Sequence, residues 1–132
     1  MVNRVLALAA TGLVLAGCSS VSGREDAASG VAVGMLTAVA EGNGASACAT
    51  LAPETLHALE QSAEKPCAEA ILEEDLPEPS RVAGADVYGQ WAQVRLDDDT
   101  VFLAVFPGGW RVVAAGCTER GKRPYDCRLE GS

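Results

Sequence analysis

The hydrophobic period of this chain changes near Arg81, and no other feature constrains its fold as much. Before Arg81, apolar residues recur at helical spacing. Ala32, Val33, Leu36, Val39 and Ala40 make one face of a segment over residues 25–41. After it they alternate: Ala92, Val94 and Leu96 fall on one side of a strand, Gln93 and Arg95 on the other. Helices followed by strands predict an α+β domain. Short turns between the strands make the sheet antiparallel. The expectation is N-terminal helices packed on a curved antiparallel sheet of three to four strands.

The punctuation refines this reading. Glu25 and Asp26 place acids at a helix start, and Gly42-Asn43-Gly44 supplies its end. A short helix over 46–51 carries Cys48. Pro53 begins a third helix, with Leu56, Leu59 and Ala63 inward and Lys65-Pro66 as its break. Residues 67–76 add a last short helix, and Pro77 and Pro79 forbid regular structure after it. Strands are expected over 82–87, 91–96, 100–106 and 110–115. The strand over 100–106 is nearly all apolar, as for one covered on both faces. Residues 116–132 read as a polar tail, with Gly121 and Pro124 blocking a further strand.

The N-terminus sets the compartment. Arg4 precedes an apolar run from Val5 to Leu15, then Leu15-Ala16-Gly17-Cys18. A charged start, a short apolar stretch and small residues before a cut make a secretory signal peptide. The run is shorter than the ~20 residues of a membrane helix. The segment resembles the lipobox of bacterial lipoprotein precursors. That resemblance implies cleavage after residue 17 and a diacylglyceryl group on the thiol of Cys18. Residues 18–24 then read as a lipidated Ser/Gly tether, and 25–132 as a single extracytoplasmic domain.

The chain has five cysteines. Setting Cys18 aside leaves Cys48, Cys67, Cys117 and Cys127, an even number in an exported chain, which reads as two disulfides. Of the three possible connectivities, local pairing, 48 with 67 and 117 with 127, is expected. No Cys-x-x-Cys pair supports a zinc or redox reading. No metal or other cofactor is expected. The net charge of −8 and the lack of a basic stripe exclude nucleic acid as a partner.

A second resemblance rests on the Gly-Asn-Gly helix end, Ala-Cys-Ala-Thr-Leu-Ala-Pro-Glu, Phe-Pro-Gly-Gly-Trp-Arg-Val-Val-Ala-Ala-Gly-Cys and Pro-Tyr-Asp-Cys. Over residues 25–128 the chain resembles small lipoproteins of high-GC Gram-positive bacteria, which are similar to the cone-shaped, nuclear-transport-factor-like (cystatin-like) folds. That superfamily includes enzymes, binding modules and assembly factors, and fold does not choose among them.

The residues offer little catalytic chemistry. His57 is the sole histidine and sits beside an apolar helical stripe. Asp86 and Tyr88, two apart on a strand, share a face and would form a proton-transfer pair if that face lined a cavity. Asp97-Asp98-Asp99 lacks the spacing of a calcium loop and reads as a solvated hairpin tip. Glu73-Glu74-Asp75 reads as a charged helix end. Arg120, Lys122 and Arg123 are the one basic cluster, a solubilising loop or a contact for anionic headgroups. Trp91 and Trp110 open successive strands, as sheet packing or as ligand-facing aromatics. The expected function is a non-catalytic, membrane-anchored binding or assembly module, held through lipid on Cys18, for a partner protein or an apolar ligand. The alternative is a small cone-fold enzyme, isomerase- or dehydratase-like, using Asp86 and Tyr88. An interior polar cavity around Asp86 would favour the enzyme, and an interior plugged by Leu36, Phe102 and Trp110 the module.

Overall fold

The computed structural model describes residues 20–131. The signal segment and Cys18 lie outside these. Helix α1 (Val21–Ala40) starts four residues before the expected 25. Ser20 sits in extended geometry and its hydroxyl accepts the N–H of Gly23, a side-chain cap that fixes the start. The tether read over 18–24 is therefore corrected: from Val21 onward those residues are helix.

Asn43 caps α2 (Gly44–Cys48), its side chain accepting from Ser46 N–H at 3.1 Å. Helix α3 (Pro53–Ala63) has proline at its first position, where the missing N–H is harmless. Helix α4 (Cys67–Ala70) passes into a single 3-10 turn, Ile71–Glu73.

Five strands follow, each antiparallel to the next in chain order: β1 (Val82–Tyr88), β2 (Trp91–Leu96), β3 (Thr100–Phe106), β4 (Gly109–Arg120) and β5 (Arg123–Glu130). The expectation of three to four strands is corrected to five. The segment read as a tail is the second half of β4 and all of β5. The two residues thought to block a strand instead fit one. Gly121 has φ +63° and turns the β4–β5 hairpin. Pro124 lies on the edge strand, where its missing N–H breaks no ladder.

The helices cover one face of the sheet. Helix α1 packs against β1, β2, β3 and β4, and α3 against β4 and β5. Met35, Leu36, Ile71, Val94, Val101, Leu103 and Val112 are wholly excluded from solvent between the layers. Burial of each such side chain stabilises the fold by about 1.5–3 kcal/mol. Strand β3 was expected to be covered on both faces, and this too is corrected. Val101 and Leu103 are buried under the helices, but Val105 is 37% exposed and Phe102 lies on the face without helices.

Near its start, β4 pairs with the loop between α2 and α3. Val112 accepts the Ala52 N–H and donates to the Thr50 carbonyl, both at 2.8 Å. Farther along, its neighbour is β5.

Both disulfides have the expected pairing. Cys48–Cys67 ties α2 to α4, with Cα atoms 6.2 Å apart. Cys117–Cys127 joins directly opposed residues of β4 and β5, with Cα atoms 4.0 Å apart. The second bond therefore clamps a hairpin and not an irregular loop. Replacing both Cys48 and Cys67 by alanine is expected to lower stability by about 3 kcal/mol, because the unfolded chain regains the freedom that closing a loop of 19 residues had removed. Urea unfolding checks this: the midpoint falls, while a loss below about 1 kcal/mol contradicts it.

Candidate binding surface

The space between helices and sheet is filled by the core side chains above, and Asp86 is not among them. Strand register puts Asp86 opposite Gln93, Gln93 opposite Phe102, and Phe102 opposite Ala114. This row lies on the sheet face that, among the described residues, no helix covers. Tyr88 lies on the same face, opposite Trp91.

Asp86 is ion-paired with Arg95, both about two-fifths exposed. Arg95 reaches it by crossing Gly84, where any side chain would collide with the guanidinium. The Asp86 carboxylate raises the Arg95 pKa above its ordinary value, chiefly through their hydrogen bond. Asp86 and Tyr88 thus share a face, as the spacing required, but it is the open one.

That open face is largely aromatic and apolar. Tyr125 of β5 stands edge-on to Phe102, with ring centroids 5.0 Å apart and planes at 73°. Its hydroxyl accepts from Gln93 Nε2 at 3.2 Å. Trp91, Val113 and Ala114 continue the patch around a shallow cleft of about 430 Å³. Trp91 is 58% exposed. A β-bulge in β4, where the register slips between Phe102 and Leu103, puts Ala114 here while Val112 stays in the core.

The other residues singled out from the sequence are dispersed. His57 is exposed on α3, at the rim of an apolar cleft of about 620 Å³ beside Phe106 and Pro107. Trp110 is half-buried on the helix side, with the Arg24 guanidinium 5.4 Å from its ring centroid. Leu36 and Trp110 therefore sit on the helix side and Phe102 on the opposite one. Glu73 pairs with Lys65, and Asp75 with Arg128. Glu74 is half-buried beside α3 and β5. Arg120, Lys122 and Arg123 meet at the β4–β5 turn, with Arg120 Nε donating to the Pro124 carbonyl. Among the described residues no group of three His, Cys, Asp or Glu is placed to hold a metal ion.

The reading of Asp97-Asp98-Asp99 as a solvated tip is corrected for its last member. Asp97 pairs with Arg81 and stays outside. Asp99 is only 6% exposed, and its carboxylate accepts the N–H groups of Thr100, Gly116 and Cys117 at 2.7–3.1 Å. Burial pushes its pKa up, and the three N–H bonds oppose that shift. It is a brace for the sheet.

Sequence reasoning missed Tyr125, Val113 and Ala114 as members of the open face. Tyr125, Cys127 and Leu129 alternate with exposed polar residues, which signals strand β5 but not the face Tyr125 takes, since Leu129 lies in the core under the helices. No protein-family model, curated protein or solved structure matches this chain.

Proposed function

We propose that this chain is a lipid-anchored extracytoplasmic binding module that uses the open face of its sheet and has no catalytic role. One observation carries the reading. Cys48, Cys67, Cys117 and Cys127 are consumed in two disulfides. That supports an oxidising compartment. It also sets Cys18, which follows Leu15-Ala16-Gly17, apart from the structural framework as the thiol left for lipid. Among the described residues no helix is long and apolar enough to cross a membrane.

The helix-then-meander order, with α1 across the sheet, is the α+β arrangement expected from the sequence. The filled interior supports recognition at the outer face, where Phe102, Val113, Ala114 and Tyr125 offer an apolar platform to a partner protein or an apolar ligand. The enzyme alternative gains no such support, since Asp86 is neutralised by Arg95 on the open face.

Cys18→Ala tests the anchor. The variant is expected to move from the membrane fraction to the medium, or to stay uncleaved, with the lipid mass lost from the N-terminal peptide. Unchanged mass and unchanged membrane retention refute the lipoprotein reading. In the same cells, Val113→Arg is expected to keep the protein on the membrane while abolishing chemical cross-links to its partner. Cross-links that persist at wild-type yield refute the open-face assignment.

A further inference from the structure

The two ends of the sheet differ in chemistry. At one end lie the β2–β3 turn, with Asp97, Asp98 and Asp99, and the β4–β5 turn, with Glu119, Arg120, Lys122 and Arg123. At the other lie the β1–β2 and β3–β4 turns. Residues 88–91, Tyr-Gly-Gln-Trp, and 105–110, Val-Phe-Pro-Gly-Gly-Trp, contain no Asp, Glu, Lys or Arg. These two turns are adjacent, since Val105 N–H donates to the Gln90 carbonyl at 2.9 Å. In a chain of net charge −8, two turns with no charge of their own are a local departure from their surroundings, and Arg24 and Arg111 are cations that lie beside them.

The exposed large apolar residues concentrate there. Tyr88 is 63% exposed, Trp91 58% and Val105 37%, all within this end. The start of α1 reaches the same place. Arg24 donates to the Gly89 carbonyl and stacks over Trp110, and Val21, 61% exposed, is one turn earlier. Among the described residues Leu72 is the one remaining large apolar residue that is well exposed, and it lies elsewhere, on the 3-10 turn.

We infer that this aromatic end, whose turns carry no charge, is a membrane seat, which inserts Tyr88 and Trp91 at headgroup depth and holds the domain upright on the bilayer. The inference rests on the lipid-anchor reading of Cys18. The occupant follows from chain length. From Cys18 to Val21 there are three residue steps, a reach of about 10 Å at most. An acylated Cys18 therefore holds the start of α1, and the turns it touches, against the lipid surface. Tyrosine and tryptophan favour that layer because their rings are apolar and their polar atoms remain hydrated. A charged turn brought so close would have to stay hydrated, and neither of these two turns has a charged side chain to hydrate. The open face then stands away from the bilayer plane, with its lower edge at Trp91 and its partner-facing centre at Phe102 and Tyr125.

The test uses the full lipidated chain reconstituted in phosphatidylcholine vesicles, some of whose lipids carry a nitroxide near the headgroup. The chain has two tryptophans, so Trp110→Phe leaves Trp91 as the sole emitter. A reference chain carries Trp91→Phe, Trp110→Phe and Lys122→Trp, reporting the charged end. Flotation of both chains with the vesicles reads the anchor; quenching reads the seat. The expected result is flotation of both, strong nitroxide quenching and a blue shift of Trp91 emission, and neither change in the reference. Flotation with Trp91 quenched no more than the reference overturns the seat and leaves the anchor standing. A blue shift that nitroxide lipids leave unquenched assigns this end to protein contact and also overturns the seat. Failure to float overturns both readings.

Discussion

Asp99→Ala is expected to destabilise the domain by about 2–5 kcal/mol, since each buried N–H left without an acceptor costs about 1–3 kcal/mol. Strand β4 extends beyond its partner β3. Their last pair is Phe102 with Ala114, and the N–H groups of Gly116 and Cys117 lie past it, both residues buried. The Asp99 carboxylate, entering from the β2–β3 turn, takes those two N–H groups and that of Thr100. It stands in for the strand that is not there. Alanine orphans all three donors and leaves a gap beside the Cys117–Cys127 bond. Domains of this size have only about 5–15 kcal/mol of stability in total, so the midpoint of urea unfolding should fall far. A change under about 1 kcal/mol would show that water or a local shift satisfies these donors.

The same carboxylate has a distinctive pH signature. Its pKa is raised in the folded state, burial being the leading cause. The folded protein therefore binds this proton more readily than the unfolded chain. The associated stability is fully present below the ordinary carboxylate pKa and is lost as pH rises through the higher folded value. An ordinary ion-paired carboxylate slopes the other way. Asp99→Asn removes this component: the wild-type stability profile minus that of the variant should slope downward with rising pH in mildly acidic solution. Parallel profiles would refute the assignment.

Gly44→Ala is expected to destabilise the protein by about 3 kcal/mol, at the upper end of ordinary overpacking. A Cβ on Gly44 would overlap the carbonyl oxygen of Ala68 and stand 2.7 Å from its carbonyl carbon. These are backbone atoms of α4, so no rotamer change relieves the clash. The Cys48–Cys67 bond joins the same two helices and prevents them from moving apart freely. At about 4–8 °C per kcal/mol for domains somewhat smaller than this one, Tm should fall by roughly 10 °C or more. Gly30→Ala is the control. It lies exposed in the interior of α1, with no atom within 4 Å of the new Cβ, and is expected to stabilise by about 0.5–1 kcal/mol. Equal and small effects at the two positions would show that α2 and α4 are not closely packed.

Much of the architecture was legible because it follows from local period. The stripe of Ala32, Leu36 and its neighbours identified α1. The alternation of Ala92, Val94 and Leu96 gave β2 and the face it buries, the even cysteine number gave two disulfides, and their spacing along the chain gave the pairing. Features that depend on strand position in the sheet were not legible. Gly121 and Pro124 break a central strand but suit a hairpin turn and an edge, and β5 was lost to that ambiguity. Asp97, Asp98 and Asp99 are indistinguishable along the chain. Only the unequal lengths of β3 and β4 select the third as the brace. The shared face of Asp86 and Tyr88 followed from their spacing, but which face it was did not, because β1 is half-buried along most of its length. Tyr125 reaches Phe102 across 23 positions of sequence, a contact no local pattern encodes.

The disulfide layout bears on how the chain can be made. The two bonds span 19 and 10 positions and do not interleave, so each cysteine's partner is its nearest neighbour among the four. On a chain delivered N-terminus first, Cys48 and Cys67 are both available before Cys117 emerges, and Cys117 then meets Cys127. Where acylation withholds Cys18, an oxidant that joins the remaining thiols in order of arrival produces the native set directly, leaving no mispaired bonds for an isomerase to reshuffle.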